Sequence, residues 1–294
     1  MKIIQFADKL IPNHTNKKNP NFQRKLLMVL FPRISIKKFT FWFGIIWAAL
    51  NLWIIISEQF VTEVLDNRGN SIKKECQFLF YGASVTPYIR YQYHYHRILL
   101  SIFICSNINQ VLLGFYVIWS YGFLFEHYLK WWEIFFTISG ATLLGSLVGA
   151  FFEFQSIRCA GCCFLASWCG LYGILIWEKL NYNMIIFLVK FFMFVLKSIL
   201  VLMVSLNEYG DPISTVVGFC LSIGLGIAFI KEISHRFDEE KKFILMRLKI
   251  FLIIVYLMLL LMTLVYVTVM YDNKKADYNI KNTYTCDNYY QPDA

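Results

Sequence analysis

Apolar residues gather along this chain in long uninterrupted runs, not in the alternation of strands or the one-sided stripes of soluble helices. Runs of about 18 or more apolar residues with few charges read as transmembrane helices, because in lipid the backbone must satisfy its own hydrogen bonds. Seven spans are expected, near residues 39–57, 98–121, 131–151, 160–177, 184–206, 213–230 and 248–270. The alternating segments of a membrane β-barrel are absent. The segment 58–97 is long for a helical bundle, which usually means a function or a structure of its own. The other connections are short, so consecutive helices are expected as antiparallel neighbours. No internal repeat or low-complexity tract is present.

Composition agrees with this pattern. Hydrophobic residues make up 58% of the 294 positions and charged residues only 16%, with a mean hydropathy of +0.52; soluble domains carry about 25% charged residues. The net charge of +9 would by itself admit a nucleic-acid partner, but Lys and Arg gather beside the spans as the positive-inside rule requires. The expected partner is the lipid bilayer, not nucleic acid.

Residues 1–37 form a basic leader with Lys2, Lys9, Lys17, Lys18, Arg24, Lys25, Arg33 and Lys37 against the single acid Asp8. It has neither the apolar stretch nor the cleavage site of a signal peptide, and its charge places it in the cytosol. Seven crossings put the polar tail 271–294 on the opposite side. The linker 231–247, with Lys231, Arg236, Lys241, Lys242 and Arg247, then falls on the cytosolic side, in agreement with the leader. The layout is a membrane domain over 38–230, the cytosolic linker, one further helix over 248–270, and the tail.

Eight cysteines are present, and most lie in apolar segments, where cysteine is usually a small buried hydrophobe. Cys159 and Cys162 have CxxC spacing, but without a second ligand pair or a nearby histidine neither a metal nor a cofactor is expected. Cys76 and Cys286 lie in polar segments and would pair only if both face an oxidising compartment.

The segment Gly82-Ala83-Ser84-Val85-Thr86-Pro87-Tyr88-Ile89, continuing to His96-Arg97, resembles the first loop of the rhomboid family of intramembrane serine proteases. Those proteins have Gly-Ala, a proline, an isoleucine and then Trp-Arg; Arg97 matches the arginine, and His96 stands at the tryptophan. Further echoes are Phe125-Glu126 for a Leu-Glu signature and Ser139-Gly140 with Gly145 in the next span. Gly161-Cys162-Cys163-Phe164 falls where the family has Gly-x-Ser-Gly. Asp211, Thr215, Gly218, Ser222 and Gly226 fall on the frame of its sixth span. The resemblance covers roughly residues 40–230 and implies an all-α membrane protein: a rhomboid-like bundle of six transmembrane helices, here with one more at the C-terminal side.

By the same resemblance the catalytic serine is Cys163 and the catalytic histidine Thr215. The oxyanion-side histidine and asparagine are Gln110 and Gly114. Serine and cysteine need a base to take their proton, and threonine does not serve as one near neutral pH. A buried thiol without a base stays protonated, and loss of one oxyanion donor typically costs about 10²–10³ in rate. His94 and His96, on the outer side, are the candidates for a replacement base; Ser167 shares the helix face of Cys163 and lacks a base in the same way.

Small residues at helix spacing (Gly161, Gly170 and Gly173; Gly218, Ser222 and Gly226) would let the fourth and sixth spans approach closely. Lys190 and Lys197 share a stripe of the fifth span, and intramembrane lysines default to functional hypotheses. Lys190 is expected at the cytosolic interface, and Lys197 facing the bundle or an acidic partner helix.

Three functions compete. The resemblance and the missing dyad favour an inactive rhomboid-like protein that binds single-span membrane clients and influences their trafficking or degradation. The others are an active intramembrane endopeptidase with a non-standard dyad, and a structural subunit of a membrane complex. A transporter would show repeats or interrupted helices at the midplane. The endomembrane system or plasma membrane is favoured as location, with the mitochondrial inner membrane as the lesser alternative.

Overall fold

A computed structural model describes residues 36–57, 73–84, 95–152, 157–178, 184–207, 209–229 and 239–265. The described residues are helical apart from connections and one isolated antiparallel bridge between Ser84 and Arg158. In chain order the helices are α1 (Phe39–Ser57), α2 (Lys73–Tyr81), α3 (His96–Ser101), α4 (Ile108–Tyr128), α5 (Trp131–Phe152), α6 (Gly161–Glu178), α7 (Met184–Ser205), α8 (Pro212–Phe229) and α9 (Glu239–Val265).

Four of them contain stretches long and apolar enough to cross a membrane: Phe39–Ser57, Ile108–Glu126, Trp131–Phe152 and Met246–Val265. Gly161–Ile176 and Pro212–Ala228 are apolar but shorter. By length and composition this is a membrane protein.

Side-chain contacts give the direction of each long helix. At one end of the bundle, Thr40 near the start of α1 meets Glu126 near the end of α4; at the other, Asn51 of α1 meets Cys105 just before α4. Gly145 and Gly149 of α5 approach Gly218 and then Ser214 of α8, in reversed order. Between α6 and α8 the order is preserved: Cys163 with Gly218, Gly170 with Ser222, and Ile174 with Gly226. Helices α4, α6 and α8 therefore run one way and α1, α5, α7 and α9 the other. Central α6 touches α4, α5, α7 and α8, and every residue from Gly161 to Leu171 is buried, as expected of a helix that is apolar all round. Its core includes Phe164, Leu165 and Trp168, with the Trp168 ring stacked on Phe125 at 5.6 Å. Helix α9 lies outside, against α5 and α8.

Two expectations need correction. The second span is Ile108–Tyr128, not 98–121. The apolar run over 98–105 belongs to the short helix α3 and a tight connection, and hydrophobicity alone does not mark the break between them. The break is made by Asn107, which is extended and accepts a hydrogen bond from the Gln110 amide at 2.8 Å, while the Ser106 amide donates to Gln110 Oε1 at 2.7 Å. This is a reciprocal N-terminal cap. Second, the linker 231–247 is helical from Glu239 onward, because Glu, Lys and Leu are good helix formers whether or not lipid surrounds them. The loop 58–97 has structure of its own, as its length implies: it contains α2 and the first residues of α3.

Candidate functional site

The two positions expected to correspond to a nucleophile and its base lie on neighbouring helices. Cys163, in the first turn of α6, is fully buried beside Ile102, Ala160 and Phe103. Its Sγ lies 3.6 Å from the Thr142 carbonyl of α5. A Cβ added to Gly218 would come within 2.5 Å of that sulfur, and one added to Gly145 within 2.7 Å. The thiol thus occupies a slot closed by two backbones. Ser167, one turn along, donates to the Cys163 carbonyl at 2.9 Å and lies 3.3 Å from both Thr142 Oγ1 and the Gly218 carbonyl. Thr215, one turn before Gly218 on α8, is buried with its hydroxyl turned back onto the Asp211 carbonyl at 2.7 Å. Among the described residues, no hydrogen-bond partner of Cys163, Ser167 or Thr215 is an imidazole, an amine or a carboxylate. Among the described side chains the one histidine is His96, which is exposed in the first turn of α3. His94 and Pro87 lie outside the described residues.

Five further motif positions, Gly82, Ala83, Arg97, Gly161 and Asp211, converge on one end of the bundle. Gly82 closes α2 with φ +103°, its amide donating to Leu79 and the Ala83 amide to Phe78. This is the Schellman arrangement that favours glycine. Arg97 Nη1 donates to the Leu79 carbonyl and lies 3.4 Å from that of Ala83, so its guanidinium completes the same helix end. Ser84 exchanges backbone hydrogen bonds with Arg158 at 3.0 and 2.9 Å, and Arg158 Nη1 reaches Asp211 Oδ2 at 3.7 Å, both side chains 2% exposed. Asp211 also caps α8: its Oδ1 accepts from the Ser214 amide at 2.8 Å and its Oδ2 from the Ser214 hydroxyl. Pro212 follows at the first helical position, where its missing N–H has no cost. The Gly161 amide donates to Ile104 and that of Ala160 to Ser101. Four connections thus share one knot: 82–84, 101–105, 157–161 and 209–211.

Gln110 and Gly114 do not form an open oxyanion pocket. Gln110 is buried, its Oε1 taken by the Ser106 amide and its Nε2 donating to the Val204 carbonyl of α7 at 3.2 Å. Gly114 lies directly against the Trp47 ring and Leu165, with no room for a side chain. At the opposite end of the bundle, Glu126 Oε1 accepts from the amide and hydroxyl of Thr40 at 2.5 and 2.6 Å and so caps α1. The Gly140 carbonyl accepts from Tyr256 of α9 at 2.9 Å, and Gly226 lets α8 rest on Leu171 and Ile174.

Of the two lysines of α7, Lys190 is exposed, whereas Lys197 is 6% exposed and turned inward. Its Nζ donates to Ser120 at 2.8 Å and sits 4.2 and 4.3 Å from the ring centroids of Tyr116 and Tyr121.

Sequence reasoning missed three residues. Arg158 stands beside an apolar run; the pairing signal was Asp211, an acid before an apolar helix and opposite in sign. Buried Asn51 bridges the Trp47 and Phe103 carbonyls and the Cys105 amide; a lone asparagine inside a span was the available signal. Ser120 had none. No group of three or more metal-ligating side chains occurs among the described residues. Neither a scan against protein-family models nor a search of curated proteins returns a match for this chain.

Proposed function

We propose that this protein is a proteolytically inactive, rhomboid-like membrane protein, six spans plus the additional α9, that binds single-span clients and steers their trafficking or degradation. The observation that carries the reading is the state of the two catalytic positions. Thr215 donates its hydroxyl to its own helix, and the Cys163 thiol lies in a closed slot between Gly145 and Gly218 with no base among its hydrogen-bond partners in the described residues. Acyl transfer from a serine or cysteine needs a positioned base and donors for the developing oxyanion. Gln110, the side chain expected to donate, is engaged with Ser106 and Val204 instead. Motif residues without catalytic duty, namely Gly82, Arg97, Asp211 and Glu126, all perform helix-end work, which supports a scaffold kept without its chemistry.

The test is co-expression of a tagged single-span reporter with the wild-type protein and with the Cys163→Ala/Ser167→Ala variant. The expected result is an intact reporter that co-purifies equally with both. Cleavage that disappears in the variant would establish an active endopeptidase and overturn the reading.

A further inference from the structure

Lys197 is a buried cation within the apolar helix α7. Its partners are the Ser120 hydroxyl and the faces of Tyr116 and Tyr121; no carboxylate among the described residues pairs with it. Aromatic faces and a hydroxyl solvate an ammonium partly, but they bring no negative charge, and intramembrane charges are usually matched by a partner. Lys197 precedes the end of α7 at Ser205 by eight residues, about 12 Å at 1.5 Å per residue. A lipid phosphate stays at the interface, so an anion meeting Lys197 has to be carried into the membrane by a protein helix.

The cage lies one side-chain layer beneath the surface, at the seam between α4 and α7. Tyr116 is only half-buried, and Leu112, one turn before it on α4, and Leu196 and Leu200, next to and one turn after Lys197 on α7, are 62%, 41% and 43% exposed. Rotation of the Tyr116 ring and the flexible lysine stem would bring the ammonium to that apolar surface. We propose that the α4–α7 seam receives a transmembrane helix bearing one aspartate or glutamate near the middle of its span, with Lys197 as the counter-charge. The proposal rests on the client-binding reading and gives that client its chemistry: apolar throughout, with a single buried carboxylate.

Three leucine-rich single-span reporters, identical except for Leu, Asn or Asp at mid-span, would be co-purified with the full chain in lipid nanodiscs. The expected result is retention of the Asp reporter about tenfold above the Leu reporter, with Asn between them. Lys197→Met should bring the Asp reporter down to the Leu level, Lys197→Arg should preserve its advantage, and Lys197→Asp should favour a reporter with mid-span Lys. Equal retention of the Asp and Leu reporters by the wild type would overturn the charge pairing and leave client binding standing. Retention of no reporter would overturn both. The wild-type comparison decides the matter even if a Lys197 variant does not fold.

Discussion

Glu126 stands 86 residues beyond the helix start that it caps, which shows what single residues do here: they close helix ends over long sequence distances. An N-terminal cap is typically worth about 1 kcal/mol. Glu126→Ala should lower stability by about that amount in detergent unfolding, and Glu126→Gln by less, since its amide oxygen still accepts. At Gly82 the φ of +103° and a Leu100 side chain 2.8 Å from an added Cβ both oppose alanine. Gly82→Ala should cost at least about 1–2 kcal/mol, read from the same curves. Asp211 separates capping from charge. Asn also caps well, so Asp211→Asn keeps the start of α8 while removing the charge opposite Arg158. Breaking a buried pair from one side costs about 3–5 kcal/mol. The double variant Asp211→Asn/Arg158→Met should be more stable than Asp211→Asn alone; equal instability would show that the pair contributes nothing beyond the cap. The roles of Gly82 and Asp211 were partly legible, because glycine after a helix and Asp-Pro before one are local signals. Glu126 was visible only as a motif echo, since its partner Thr40 is remote in sequence.

Among the elements, what the chain discloses depends on whether a boundary is written in polarity. Helices α1, α5, α6, α7 and α8 lie within a residue or two of the expected spans, because polar or turn-forming residues bracket each apolar run. The start of α4 was misplaced because the residues before it are just as apolar and the boundary lies in the hydrogen bonds of Ser106, Asn107 and Gln110. The small-residue expectation held in part: Gly161 meets Ile104 and Cys105, and Gly173 meets Phe194 of α7, not α8. Gly170 faces Ser222 and the Phe219 carbonyl, and Gly149 of α5 faces Ser214 and Asp211 so closely that no Cβ fits. Overpacking of this kind costs about 1–3 kcal/mol. Gly149→Val should therefore destabilise the bundle and part α5 from α8. Gly224, where the nearest atom is Leu252 Cδ2 at 3.9 Å, is the matched control: Gly224→Ala should be neutral or stabilising by up to about 1 kcal/mol. Equal losses at the two positions would mean that helix propensity, not the α5–α8 contact, governs both.

For the whole molecule, alternating helix directions and charge meet in one statement about sides. The knot of connections gathers Tyr95, at the start of α3, and Asn207, after α7, at one end; Ile36, before α1, and Lys130, between α4 and α5, lie at the other. All four are exposed. The basic leader 1–37 includes Ile36, and Lys and Arg favour the cytosolic side, which predicts that end in the cytosol and the knot on the opposite side. Single cysteines introduced at these positions, in a background without Cys76, Cys220 and Cys286, test the assignment with a membrane-impermeant maleimide. On sealed vesicles with the cytosolic face outward, Ile36→Cys and Lys130→Cys should label at once, and Tyr95→Cys and Asn207→Cys only after permeabilisation. Reversal of both pairs would invert the orientation while leaving the bundle intact. Labelling of Tyr95→Cys and Ile36→Cys from the same face would be incompatible with α1 crossing the membrane, and the antiparallel order built from Thr40–Glu126 and Asn51–Cys105 would fail with it. The client proposal depends on this result too, because a helix docking at the α4–α7 seam needs both of those helices to span the bilayer with Lys197 at its middle.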